Sequence, residues 1–182
     1  TINMKKKYVS LFVLPLFIIA CSSSKTYFTS GIRTAVESNH QPLEKIQFYA
    51  DRDIVLKREM NIGETKVSSG KVKIENGHYV QIIILKKNTP GICTVVKNNI
   101  VGISFENGPN KFLTFGKIKN ATSEDPYRLQ ITDWIKDLGI VEYEGKRYRI
   151  EAESANAGIM IKTSILKKNK TEQRQMKGRT VN

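Results

Sequence analysis

The stretch that decides the fold is KVKIENGHYVQIIIL, residues 71–85, in which two strand-like runs flank Asn76-Gly77. Successive side chains of a strand point to opposite faces of a sheet, so alternation of apolar and polar residues predicts a strand on each side. Asn-Gly fits the two positive-φ positions of a type I′ turn, which joins neighbouring antiparallel strands. The segment therefore predicts a β-hairpin.

Similar patterns continue on both sides of this hairpin. ICTVVKNNIVGISFE (92–106) predicts a hairpin turning at Asn98-Asn99, and GIVEYEGKRYRIE (139–151) predicts one turning at Glu144-Gly145. Single strands are predicted in NGPNKFLTFGKI (107–118) and AGIMIKTSIL (157–166). Eight to ten short strands with turns about every ten residues predict an all-β, mainly antiparallel fold, a small sandwich or barrel with little helix.

Two segments leave alternatives open. KIQFYADRDIVLKREM (45–60) has a two-residue period broken at ADRD, which predicts two strands around a turn or one strand with a bulge. A helix over RDIVLKREM is the competing interpretation. YRLQITDWIKDLG (127–139) begins like a strand and then predicts a helical turn near Trp134.

The chain divides into four predicted regions. Residues 1–20 are a signal peptide, and residues 21–44 a polar tether with a short ordered piece around YFTSGIRTAVE. Residues 45–166 form the β-rich domain. Residues 167–182 form a basic tail, predicted to be disordered because it contains few apolar residues.

The first twenty residues have the layout of an export signal. Lys5–Lys7 supply positive charge, the apolar run 8–19 follows, and Ala20 precedes Cys21; we expect translation to start at Met4. Twelve residues are too few for a stable helix across a hydrocarbon core of about 30 Å. A secretory signal is therefore expected rather than a transmembrane helix.

Ile18-Ile19-Ala20-Cys21 resembles a bacterial lipobox. The resemblance implies cleavage after Ala20 and covalent attachment of diacylglycerol and an acyl chain such as palmitate to Cys21. Ser22, where an inner-membrane lipoprotein often has Asp, implies the outer membrane. SSSKTYFTS has no acidic cluster, which implies the periplasmic face. The alternative is an ordinary signal peptide with an incidental cysteine.

The lipobox, together with the hairpins KIENGHYVQI and VEYEGKRYRI and the stretch KIQFYADRDIVLKRE, is similar to the small β-rich outer-membrane lipoproteins of Bacteroidota. The resemblance extends over most of the processed chain in general sequence character, and it implies no particular activity.

Candidate catalytic residues are few. Cys93 lies among apolar residues and is predicted to be a buried small hydrophobe; a catalytic thiol is the alternative. The histidines His40 and His78 give no zinc spacing, and no cofactor besides the lipid is expected. Aspartates near turns usually cap them by local hydrogen bonds. In an envelope enzyme acting on peptidoglycan or another glycan, acid–base chemistry would instead fall to Asp51, Asp53 and Asp133.

Two groups of residues are candidate binding sites. Aromatic and basic side chains near one hairpin could stack on bases or sugars; they are Tyr143, Lys146, Arg147 and Tyr148. The basic tail could attract anionic lipid or lipopolysaccharide; its first candidates are Lys167, Lys168, Lys170 and Arg174. The formal net charge of +13 alone could indicate a nucleic-acid partner, but the export signal argues against one.

These features predict an outer-membrane lipoprotein without enzymatic activity. It would be an accessory subunit of a secretion, transport or outer-membrane assembly complex, binding a membrane protein while anchored by its lipid. The alternatives are a periplasmic enzyme acting on peptidoglycan or glycan and a stand-alone binder of an anionic envelope ligand.

Overall fold

The computed structural model describes residues 24–61, 71–75 and 77–167. Within these residues thirteen strands form two antiparallel sheets, and the three α-helices are short. The predicted all-β, mainly antiparallel class is confirmed, and the two sheets are consistent with a sandwich.

The first sheet contains seven of the described strands. In spatial order they are β1 (Lys25–Tyr27), β13 (Ile159–Lys162), β2 (Gln47–Ala50), β6 (Pro90–Lys97), β7 (Ile100–Ser104), β8 (Leu113–Gly116) and β9 (Arg128–Leu129). β9 also reaches back to the chain just before β13: Arg128 forms an isolated bridge with Gly158, and the Leu129 amide donates to the Ala157 carbonyl at 2.8 Å. The first sheet therefore curls so that its last strand, β9, approaches the residues that lead into β13.

The second sheet contains the other six described strands. Their spatial order is β10 (Asp133–Ile135), β11 (Leu138–Tyr143), β12 (Lys146–Ile150), β3 (Ile54–Met60), β5 (His78–Leu85) and β4 (Lys71–Glu75). The predicted hairpins are confirmed, since β4 pairs with β5, β6 with β7 and β11 with β12. Positive φ angles occur where the turns demand them, at Gly77 (80°) and Gly145 (69°).

Residues 45–60 form two strands, as the first interpretation predicted, but the two do not form a hairpin. β2 belongs to the first sheet and β3 to the second, so residues 51–53 form a corner between the sheets. The competing helix is absent there. The helical turn predicted near Trp134 is also wrong, because Trp134 pairs with Gly139 across β10 and β11.

The predicted polar tether is corrected for residues 24–44, which belong to the folded domain. β1 pairs with β13, and α1 (Ser30–Ser38) follows, its first turn capped by the Thr29 side chain, which accepts from the Ile32 amide at 3.2 Å. A 3₁₀ turn covers Leu43–Lys45. Val36 and Leu43 are buried, so scattered apolar residues of a mostly polar segment anchor it. The ordered piece predicted around residues 27–37 contains most of this helix.

One apolar core joins the two sheets and the N-terminal segment. Phe28 is fully buried and makes edge-to-face contacts with Phe48 and Tyr127, each with ring centroids 5.1 Å apart. From the second sheet come Leu56, Val141 and Ile150, all nearly inaccessible to solvent. The last described residues also pack on this core, because β13 leads into a single helical turn, α3 (Ser164–Lys167), whose Ile165 and Leu166 pack against it.

Candidate interaction surfaces

The β11–β12 hairpin does not present its aromatic and basic side chains together. Tyr143 and Tyr148 are buried, with their rings in an edge-to-face contact at 6.2 Å, whereas Lys146 and Arg147 are exposed. The predicted stacking surface at this hairpin is therefore corrected. The physical reason is alternation: both tyrosines occupy the face of the sheet that meets the core.

Tyr143, Tyr148 and Arg147 each have a structural partner. The Tyr148 hydroxyl donates to the buried Gln81 amide oxygen at 3.2 Å, and burial raises the pKa of Tyr148. Arg147 lies 3.1 Å from the Asp133 carboxylate on β10, an exposed ion pair. An exposed pair of this kind contributes little to stability. Both tyrosines are core residues, and Lys146 and Arg147 lie at the surface.

A polar cluster surrounds the Tyr143 hydroxyl at the edge of the core. The hydroxyl donates to Glu106 Oε1, and Lys111 Nζ lies 3.2 Å from Glu106 and 3.1 Å from Glu144. Burial, reinforced by the Glu106 carboxylate, raises the pKa of Tyr143 above its ordinary value. The hydrogen bond from Tyr143 lowers the pKa of Glu106, and Lys111 lowers it further, while partial burial opposes both.

This cluster borders a cavity of about 200 Å³ that opens between the two sheets. Its apolar lining comes from both sheets and includes Leu56, Ile83, Leu85, Phe105 and Leu113. Sequence reasoning missed the cavity because its walls come from separate strands, which become neighbours only when the sheets pack. Tyr143 is the single residue of the predicted hairpin site that lines it.

The Glu106 cluster predicts a pH-dependent contribution to stability. Because the folded-state pKa of Glu106 is lowered, the stabilisation is present above the ordinary glutamate pKa and is lost as the pH falls through the folded-state value. The Glu106 side chain is about half exposed, so we expect at most about 1 kcal/mol after solvent screening. We expect Glu106→Gln to be less stable than wild type near neutral pH and to approach it in acid.

Urea unfolding at several pH values measures this difference. Glu142→Gln, at an exposed position on β11, is the matched control and should keep a constant offset from wild type. A Glu106→Gln offset that does not change with pH contradicts the ionic origin of the contribution.

The candidate catalytic aspartates have structural partners. The buried Asp51 carboxylate accepts from the Gly158 amide at 2.8 Å and lies 3.4 Å from both Arg52 and Arg128. Asp53 accepts from the Lys87 amide and from Lys86 Nζ, each at 2.7 Å, and these hydrogen bonds lower its pKa. Asp51 and Asp53 thus hold the corner between the sheets.

Asp133 lies on β10, in the edge strand of the second sheet. Its carboxylate accepts from the Trp134 amide at 2.8 Å and pairs with Arg147. None of the three aspartates lines the cavity between the sheets. The structure therefore does not bring Asp133 together with the corner aspartates around that cavity.

Cys93 is buried, as predicted. Its Sγ lies 3.4 Å from the Val95 carbonyl, and burial raises the thiol pKa to about 11. The thiolate is the nucleophilic form, and at neutral pH it is scarcely populated. His40 and His78 are exposed, and the part of the chain that the structure describes holds no cluster of three metal-ligating side chains.

Four predicted site residues lie outside the described residues: Cys21, Lys168, Lys170 and Arg174. Lys167 is the last residue of α3, and its side chain is also outside the description. Among the residues from 24 to 167 that are described, no helix has the length and apolarity needed to cross a bilayer. Lipidation of Cys21 and lipid binding by the tail stay predictions.

The edge strand β10 is an apolar feature that sequence reasoning missed. All three of its residues are exposed, and Trp134 and Ile135 retain 52% and 49% of their accessible surface. β10 pairs with β11 on one side only within the described sheet. A sheet edge with exposed apolar side chains can receive an added strand from another chain.

No protein-family model, curated protein or solved structure matches this chain. Its function is therefore proposed from its own residues.

Proposed function

We propose that this chain is an outer-membrane lipoprotein, anchored through Cys21, that acts by protein binding as a non-enzymatic subunit of a cell-envelope complex. The observation that supports this proposal most directly is the order of the N-terminal segments. A basic patch, a short apolar run and Ala20-Cys21 lead within three residues into a fold that is described from Ser24. The lipid would hold the domain at the outer membrane, on its periplasmic face.

Edge strand β10 supports a binding role. An extended segment of a membrane protein can pair with its backbone while Trp134 and Ile135 contribute apolar contact area. Confinement to the membrane raises the effective concentration of the domain near such a partner, so a small interface suffices. The engagement of Asp51, Asp53 and Asp133 by cations and backbone amides supports binding over acid–base catalysis.

The test is a crosslinked pull-down from native membranes combined with the intact mass of the recovered protein. We expect wild type to carry lipid on Cys21 and to recover a defined membrane complex. Cys21→Ala should lose both. The double variant Trp134→Ser/Ile135→Ser should keep the lipid but lose most of the partner, because its edge no longer offers apolar contacts.

Ile118→Ser is the matched control, since Ile118 is an equally exposed apolar residue outside the described strands. It should retain the complex. A lipidated protein recovered without any partner contradicts the subunit role, and a wild-type protein without lipid contradicts the anchoring.

A further inference from the structure

The outer face of β1, β13 and β2 carries a continuous row of aromatic and apolar side chains. Tyr27 lies opposite Met160, and Met160 lies opposite Tyr49. The intervening row, which contains Phe48 and Ile161, is fully buried in the core, so the tyrosine row must face outward. On β6 the row continues to the exposed Pro90, the cross-strand partner of Tyr49.

Basic side chains lie over this row. Lys25 Nζ is 4.4 Å from the centre of the Tyr49 ring, and the Arg128 guanidinium is 5.5 Å from the centre of the Tyr27 ring. Lys25 also lies directly opposite Lys162 across β1 and β13. We call this surface the tyrosine–lysine face: Lys25, Tyr27, Tyr49, Arg128, Met160 and Lys162.

The two lysines of the tyrosine–lysine face point to an anionic ligand, whereas Arg128 is already paired with Asp51. Like charges directly opposite each other across two strands destabilise a sheet, and Lys25 and Lys162 form such a pair. The three strands KTY, IMIK and QFYA contain no acidic residue to neutralise them. Lys25 Nζ donates to the Asn88 side-chain oxygen at 3.0 Å, a neutral partner that leaves its charge uncompensated, so an external anion near the two lysines would relieve their repulsion.

Both ends of the described fold meet beside this face. The Thr163 amide donates to the Ser24 carbonyl at 3.0 Å, and the two side-chain hydroxyls are 2.6 Å apart. The chain therefore enters from Cys21 and leaves toward the basic tail at the same edge of the first sheet. A lipid on Cys21 would bring this edge to the membrane surface.

We propose that the tyrosine–lysine face rests on an anionic lipid bilayer, with Lys25 and Lys162 at the headgroup phosphates and Tyr27 at the interface. The orientation rests on the proposed anchoring through Cys21, because the first described residue follows the anchor by only three positions. Tyrosine favours the boundary between headgroups and acyl chains, and lysines near an anionic bilayer are attracted to it. The lipid anchor is supplemented by an electrostatic attachment in this way.

Vesicle flotation tests the face separately from the anchor. The probe is the processed chain, residues 21–182 with Cys21→Ser, which cannot carry lipid. The vesicles contain equal parts of phosphatidylglycerol and phosphatidylethanolamine, and phosphatidylcholine vesicles serve as the uncharged reference. We expect Lys25→Gln/Lys162→Gln to bind the anionic vesicles about 30-fold more weakly than the parent, since each lysine near the surface contributes about fivefold.

Lys119→Gln/Lys146→Gln is the matched control, because it removes the same charge from exposed positions outside the face and leaves the tail unchanged. It should bind within about twofold of the parent. If the Lys25/Lys162 double variant fails to fold, Lys162→Gln alone should show the fivefold loss.

Equal losses in both double variants mean that only net charge matters, and they overturn the proposal. Binding to neutral and anionic vesicles alike overturns it as well, as does binding to soluble lipopolysaccharide glycan but not to vesicles. The intact mass of the native protein shows independently whether Cys21 carries lipid. An unlipidated Cys21 contradicts the proposed anchoring and leaves the vesicle result unchanged.

Discussion

Phe28→Ala is expected to destabilise the protein by about 4 kcal/mol, the cost typical of removing a fully buried phenylalanine and leaving a cavity. The ring has no exposed surface and contacts Phe48 and Tyr127 edge to face, so the substitution also removes two aromatic pairs. This result would establish in solution that residues 24–44 are part of the domain. A residue in a free tether would contribute nothing to the free energy of unfolding.

Tyr27→Ala is the matched control for this prediction. It truncates the neighbouring aromatic residue of the same segment, which keeps 40% of its surface exposed, and it should cost less than about 1 kcal/mol. Urea unfolding of both variants measures the difference. Equal and small effects would mean that the N-terminal segment packs only weakly and that the domain begins near residue 45.

The hairpins could be predicted from the sequence because their information is local. The Glu144-Gly145 turn adopts positive φ at both residues, which a type I′ turn requires and which glycine adopts freely. The strands on either side alternate in polarity, and the register follows from the length of the turn. Nothing beyond about a dozen neighbouring residues is needed for this inference.

The N-terminal segment could not be predicted in the same way. Phe28 and Val36 are separated by a mostly polar stretch, and the segment is fixed in place because β13, more than 120 residues later, pairs with β1. The ADRD turn shows a related limit. Its sequence indicates a change of direction, but whether the chain folds back or crosses to another sheet depends on Gly158 and Arg128, which are remote in sequence.

The candidate hairpin site shows why residues that are adjacent in sequence need not share a surface. Aromatic and basic residues were predicted to share one hairpin, where they are adjacent in sequence. Because side chains alternate between the two faces of a sheet, Tyr143 and Tyr148 are buried instead. Aromatic and basic side chains lie together on the surface of β1, β13 and β2. Each of these strands carries only one or two residues of the tyrosine–lysine face, so only their register reveals it.

Asp51→Ala is expected to destabilise the protein by about 3 kcal/mol. The Asp51 side chain is only 2% exposed, and its removal leaves the Gly158 amide without an acceptor and Arg128 without its carboxylate. The two arginines keep some contact with solvent, so the cost should lie at the low end of that for breaking a buried ion pair. Chemical unfolding measures it directly.

Asp51→Asn separates the hydrogen bond from the charge. Its amide oxygen can still accept from Gly158, so we expect it to recover roughly half of the loss. Asp53→Ala is the matched control: it removes a neighbouring carboxylate that pairs with the exposed Lys86, and it should cost much less than Asp51→Ala. If instead Asp51→Ala unfolds like wild type but abolishes an envelope activity, Asp51 serves chemistry rather than the corner. The same experiment therefore separates a structural carboxylate from a catalytic one.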